Sequence, residues 1–318
     1  MFLPSFQITG TAVLQIFLLG AVGYFLVKKN IISTQGLNSL TRLVIEITLP
    51  VLIFCKLVKD FKFSLYPDWW IFPLLSILIT VAGLVLGALF TVFIRGQQQK
   101  LQFLSLITFQ NSGYLPLALV AALLPPEKIN PMFIYIFLFL LGFNLVVWSM
   151  GVYLLTFSRA KRFELGSLFS PPVIATVFSL LFVSFNLPKF VPQFVLRPLQ
   201  MIGDCTLPLA MFVIGANLAQ IHLRQVDKKA IFLMALAKMV ILPFLGLGLI
   251  IRLKLPELMG LLILIQLAMP PATSLSLITS HYKKEDLLIS QGVFFGHIIG
   301  IITIPIFLSL YFARVMIK

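Results

Sequence analysis

Charge is what this chain has least of. Only 11% of its 318 residues are Asp, Glu, Lys or Arg, and only 10 are acidic, whereas a soluble domain carries about 25% charged residues. With 60% hydrophobic residues and a mean hydropathy of +1.06, too little polar surface remains for a water-facing fold. The chain reads as a polytopic membrane protein. Histidine and cysteine are equally sparse. The three histidines are widely separated, and Cys55 and Cys205 fall within apolar stretches, so neither a metal-ligand cluster nor a disulfide framework is expected. No nucleophile elbow or phosphate loop appears. An enzyme has little to stand on, and no cofactor is implied.

What charge there is runs basic: 24 Lys and Arg give a formal net charge of +14. These residues are scattered through short loops. That pattern suits membrane topology and contact with anionic lipid, not nucleic acid. No basic residue precedes the first apolar run and no small-residue cleavage pattern follows it, so that run is expected to be a retained helix.

A bilayer span takes about 20 apolar residues, and ten segments qualify: 10–27, 38–58, 69–94, 101–124, 131–157, 171–187, 198–220, 229–251, 257–280 and 287–313. A basic connector, residues 158–170 with Arg159, Lys161 and Arg162, divides the chain into five spans (1–157) and five more (171–318). The expected class is therefore an all-α integral membrane protein with ten transmembrane helices.

Two spans are ill suited to be continuous helices. The fourth carries Gln110, Asn111, Ser112, Gly113 and Pro116 at its centre, and the ninth carries Pro270 and Pro271. Glycine weakens a helix, and proline removes a donor and clashes one turn back. Backbone freed at membrane depth survives only where protein or a water-filled cavity satisfies it. Both spans are read as broken. The second half of a broken helix exposes free N–H groups and the positive end of its dipole, so two such ends meeting at mid-membrane make an anion site. Asn111, Ser112 and Tyr114 add side-chain donors at the first break, and Thr273 and Ser274 at the second. Proline kinks alone would account for Pro50, Pro208, Pro243 and Pro305.

The halves echo each other. Glu46-Ile47-Thr48-Leu49-Pro50 in the second span matches Asp204-Cys205-Thr206-Leu207-Pro208 in the seventh, at an offset of 158 residues. The same offset carries Asn111 to Met269, beside the second break. Each pair lies on the same ordinal span, which argues for duplication. Five spans being odd, the second copy must be inverted in the membrane, a plan common among carriers. With the N-terminus outside, the Lys and Arg of the loops divide 12 inside to 10 outside. The positive-inside rule thus leans towards both termini on the outer face.

Away from the span ends, the charged residues are Arg42, Glu46, Asp204 and Lys238, with the ionisable His297 beside them. Each needs a reason, because a charge at mid-helix costs about 2.5–3.5 kcal/mol on insertion scales. Arg42 and Glu46 are four apart and share a face, as a structural pair or a gate. Asp204 has no basic residue one turn away on its own helix, so a partner from another helix is expected. Lys238 suits either an anionic substrate, a tethered substitute for a coupling cation, or an ion pair with Glu46 or Asp204. His297 lies within a small-residue stripe of Gly292, Gly296 and Gly300 that favours close helix packing. Spans three, four, five, eight, nine and ten hold no interior Asp or Glu, so a carboxylate-based cation site beside the breaks is not expected.

Four stretches carry a family resemblance: TLPVLIF with Leu49-Pro50, FQNSGYLPLAL from Asn111 to Pro116, PLAMFVIGANLA from Pro208 to Ala219, and MPPAT from Met269 to Thr273. Together they resemble the auxin efflux carrier family, particularly its bacterial malate permease-like members. Leu115 departs from the small residue usual there. The resemblance implies two inverted five-helix repeats with broken, crossing helices four and nine, of the bile acid symporter and sodium–proton antiporter type. Spans 1, 2, 6 and 7 would form a scaffold, often dimeric, and spans 3–5 and 8–10 a core that moves as an elevator. It also implies a small organic anion as substrate, such as a dicarboxylate or auxin-like carboxylate. Asn111 would contact the carboxylate, with the backbone at Pro116, Pro270 and Pro271 at the crossing. The plant carriers' long loop between halves is missing, as in a prokaryotic form placed in the cell (inner) membrane. The expected function is secondary active or facilitative transport of a small organic anion, with Lys238 supplying positive charge. A channel-like pore or membrane sensor is the alternative.

Overall fold

In a bilayer the backbone must satisfy its own hydrogen bonds, and helices do this within one segment. The structure, a computed structural model, describes residues 2–156, 169–221, 223, 225–281 and 287–315. Among them there is no strand, only one isolated bridge. The basic connector with Arg159, Lys161 and Arg162, together with Arg224, Lys283, Lys284 and Lys318, lies outside the described residues.

The first half begins with α1 (Phe2–Lys28), then α2 (Thr34–Leu43) and α3 (Leu49–Asp60) joined by a π-helical turn over Val44–Thr48. It continues with α4 (Ile71–Phe90), α5 (Gln97–Thr108), α6 (Tyr114–Leu123), α7 (Pro126–Val146) and α8 (Val152–Thr156). The second half holds α9 (Pro171–Ser184), α10 (Gln193–Asp204), α11 (Thr206–Ala219), α12 (Lys228–Met234), α13 (Leu242–Leu253), α14 (Glu257–Ala268), α15 (Ser274–His281) and α16 (Leu287–Val315). Among the described residues, six helical stretches are long and apolar enough to cross a membrane: Phe2–Lys28, Ile71–Phe93, Pro126–Leu155, Gln193–Ala219, Lys228–Leu253 and Leu287–Arg314. Shorter apolar helices are Tyr114–Leu123, Pro171–Ser184 and Glu257–Ala268.

Proline shapes these helices in two ways. Pro50 and Pro243 each follow a π-helical stretch, Val44–Thr48 and Ala235–Ile241. A proline lacks an N–H and crowds the carbonyl one turn back, and a widened turn absorbs both defects without ending the helix. Pro305 sits inside the continuous α16, and Pro208 lies just after the joint at Cys205 between α10 and α11. The fifth span starts at Pro126, not Pro131. Pro126 occupies the first turn, where its missing N–H would have no partner anyway, and Pro131 removes only one bond a turn later.

The long helices differ in what they face. Leu14, Leu18 and Val22 of α1 and Leu78, Val85 and Leu89 of α4 are exposed, as suits contact with lipid tails. By contrast α7 is the most enclosed of the long helices, burying Ile134, Phe137, Leu138 and Phe139. Some hydroxyls inside the bundle are satisfied on their own helices, as when Thr80 donates to the Ser76 carbonyl and Thr176 to that of Pro172. The broken pairs α5–α6 and α14–α15 lie within this packed interior. Gly296 of α16 holds that arrangement: a methyl group there would overlap the Pro271 ring, so the prolines of the break seat directly on the α16 backbone.

Candidate functional site

The two breaks meet. Helix α5 stops at Thr108 and α6 starts at Tyr114, while α14 stops at Ala268 and α15 starts at Ser274. Each interruption spans five residues, 109–113 and 269–273. They run antiparallel and pair as a single β-bridge, Gln110 with Pro271. The Asn111 N–H donates to the Pro270 carbonyl at 2.8 Å, and the Ala272 N–H donates to the Phe109 carbonyl at 3.0 Å. Gln266 adds a side-chain bond from Nε2 to the Ser112 carbonyl at 3.1 Å. Backbone groups orphaned by one break are thus satisfied by the other, which is how non-helical backbone survives at membrane depth.

A cavity of about 140 Å³ opens beside this crossing. Gln110, Asn111, Ser112, Gly113 and Tyr114 line it from the first break, and Ala272, Thr273 and Ser274 from the second. It therefore touches the N-terminal ends of both α6 and α15. Gly113 caps α6 without any side-chain bond, so first-turn N–H groups of α6 have no side-chain acceptor there. The opposite walls are Ile45 and Leu49 of the second span, Leu140, Phe143, Asn144 and Trp148 of the fifth, and Pro172 of α9. Among the described residues no charged side chain lines the cavity. Among its walls, Asn111 Nδ2 and both polar atoms of the Gln110 side chain are buried without a hydrogen-bond partner. Such groups lose solvation and gain nothing unless a ligand or water arrives. Two helix N-termini and an unpartnered amide donor, with no carboxylate opposed, are suited to an anion.

The remaining candidates fall at various distances from this cavity. Pro116, Pro270 and Pro271 are buried in or beside the crossing but do not line it. Lys238 does not line it either. It sits in the π-helical stretch Ala235–Ile241, fully buried, and its Nζ has no hydrogen-bond partner. That stretch packs against α4, α5, α14 and α16, behind the crossing. Neither expected ionic partner reaches Lys238. Glu46 pairs with Arg42 at 3.0 Å on an exposed face, and Asp204 is exposed in a small cleft it shares with Lys56 and Lys59. His297 lines a different cavity. Asn144 and Trp148 also line the cavity and were not singled out from the sequence, where Gln110 was noted only as part of the break. Asn144 carried a signal, as a lone amide in an otherwise apolar stretch of the fifth span.

A helical bundle of apolar, membrane-length helices around a polar cavity made by two interrupted ones defines a membrane transport protein. The comparisons with known proteins agree. The family model described as membrane transport protein matches residues 8–165 and 155–308, and the chain belongs to this family, the auxin efflux carriers. An uncharacterized transporter of Methanothermobacter thermautotrophicus is 23% identical over 300 residues, covering 92% of this chain and 95% of its own. Protein PIN-LIKES 6 of Arabidopsis thaliana is 28% identical over 124 residues, and an uncharacterized transporter of Schizosaccharomyces pombe is 28% identical over 116. Those two matches cover 38% and 36% of this chain and only 29% and 26% of the relatives' lengths.

Proposed function

We propose that the protein carries a small organic anion, a dicarboxylate or auxin-like carboxylate, across the cell membrane by alternating access. The observation that carries this reading is the pair of helix N-termini, α6 and α15, sharing one cavity that no carboxylate of the described residues lines. In this reading the anion's carboxylate accepts from Asn111 Nδ2 and from the first-turn N–H groups, with Ser112, Tyr114, Thr273 and Ser274 around it. Lys238 adds positive charge from behind the crossing, through the packed interior, not as a wall residue. The cavity's walls suggest how access alternates. One side is the crossing, and the other includes the second span and α9, so sliding the crossing past them, as an elevator does, would carry the site between faces.

Ten spans in two inverted repeats belong to the same proposal. The breaks begin 160 residues apart, at 109 and 269, close to the 158 of the sequence echo. Beside the echo's two copies, Gly203 packs against the Leu52 backbone. Counterflow of labelled dicarboxylate in proteoliposomes tests the function. Uptake accelerated by unlabelled anion on the far side is the expected result. Flux without such acceleration would mean a channel, and no flux for any carboxylate in a panel would sink the proposal.

A further inference from the structure

A second cavity, about 290 Å³, lies away from the crossing. Its walls come from four helices: Gly20 and Tyr24 of α1, Met211 of α11, Leu115 of α6, and His297 and Ile301 of α16. Apart from Tyr24 and His297, every wall residue is apolar or glycine, and three phenylalanines are among them. Its concavity fits the close crossing of α1 and α11, where a methyl group on Gly215 would overlap the Gly20 carbonyl.

His297 gives this apolar space a polar point. The residue is fully buried, and Nδ1 lies 2.8 Å from the Val293 carbonyl one turn back. A carbonyl only accepts, so Nδ1 carries the hydrogen, and the neutral ring then presents Nε2 as a bare acceptor. Among the described residues that nitrogen has no hydrogen-bond partner. Because Nδ1 is turned to its own helix, Nε2 sits on the ring's outer edge. A buried acceptor left open is destabilising until a donor reaches it. A trapped water answers poorly, since it needs two to four polar partners and the walls offer little beyond Tyr24. A lipid acyl chain has no donor at all.

We infer that this cavity binds a small uncharged aromatic molecule bearing one hydroxyl or N–H, which donates to His297 Nε2. The size agrees, because about 150 Å³ already admits benzene in an apolar cavity. The phenylalanine walls offer edge and face contacts to a ring. The site also has a consequence for the rest of the molecule. Leu115 follows Tyr114 directly, so the first turn of α6 borders both cavities. An occupant wedged between α1 and α11 on one side and α6 and α16 on the other restrains their relative movement.

The test uses 4-fluorophenol and its donor-free counterpart 4-fluoroanisole, with binding to the purified protein in lipid nanodiscs followed by fluorine NMR. The phenol is expected to bind about tenfold more tightly than the anisole, the difference one buried hydrogen bond makes. His297→Phe should equalise the two, and His297→Gln, which restores an acceptor, should recover the preference. Ile301→Trp, by filling the space, should remove both. Equal binding of phenol and anisole to the unmodified protein overturns the inference and makes the cavity a lipid-filled seam. So does a preference that survives His297→Phe.

Discussion

The two interruptions that build the crossing have the same length and opposite characters. The first, Phe109 to Gly113, is rich in amides and hydroxyl. Its Asn111 and Gln110 side chains are buried with hydrogen-bonding capacity unspent. The second, Met269 to Thr273, is stiffened by two adjacent prolines and contributes mainly backbone. Its Pro270 carbonyl and Ala272 N–H hold the first break in place. One break is thus equipped to contact a ligand and the other to frame it. In the proposed inverted repeat, two copies sharing a single cavity can divide their labour this way, because only one needs to keep the side chains that recognise the cargo.

The comparison can be broken most forcefully at the frame. Gly296→Val should abolish transport and lower thermal stability by about 1–3 kcal/mol, the usual cost of overpacking, because the new side chain meets Pro271. Counterflow and a thermal melt on the same preparation check both halves of that statement. A smaller effect is expected from the contact side. Asn111→Ala should weaken anion binding by roughly tenfold to a hundredfold, the loss of about 1–3 kcal/mol, while the melting temperature stays near wild type. Thr273→Ala, at the second break, should cost about threefold or less, in line with a neutral hydrogen bond at the weak end of the range. Equal losses for the two would erase the proposed division of labour.

Lys238→Met comes next. Replacing an unpartnered buried cation by an apolar side chain of similar length should leave the melting temperature unchanged or raised, while anion uptake falls a fewfold. A variant that melts earlier and transports normally would make Lys238 a folding element. Smallest of all is Arg42→Ala. Its pair with Glu46 is exposed, with side-chain exposures of 74% and 46%, and such pairs contribute little. Uptake and melting should both stay within experimental scatter.

The breaks were legible in the sequence because their cause is local. Glycine and proline act on the backbone where they stand, so Gly113, Pro270 and Pro271 announce an interruption without any knowledge of neighbours. The same locality explains the Arg42–Glu46 pair, four residues apart on one helix. What escaped depends on packing between distant segments. Lys238 was expected to reach the site or an acidic partner, yet neither its depth nor its direction can be read from a helix taken alone. Asn144 and Trp148 line the cavity only because α7 and the turn after it run past the crossing. The π-helical turns before Pro50 and Pro243 were also hidden. Proline predicts a defect, but whether the chain answers with a kink or a widened turn is decided by the helices around it.

The two backbone bonds that join Asn111 to Pro270 and Ala272 to Phe109 also set an order of events during synthesis. Until the ribosome has delivered residue 272, the loop around Asn111 has entered the membrane without the strand that completes it. The nascent first half therefore holds the Asn111 N–H and the Phe109 carbonyl without the partners they have in the folded chain.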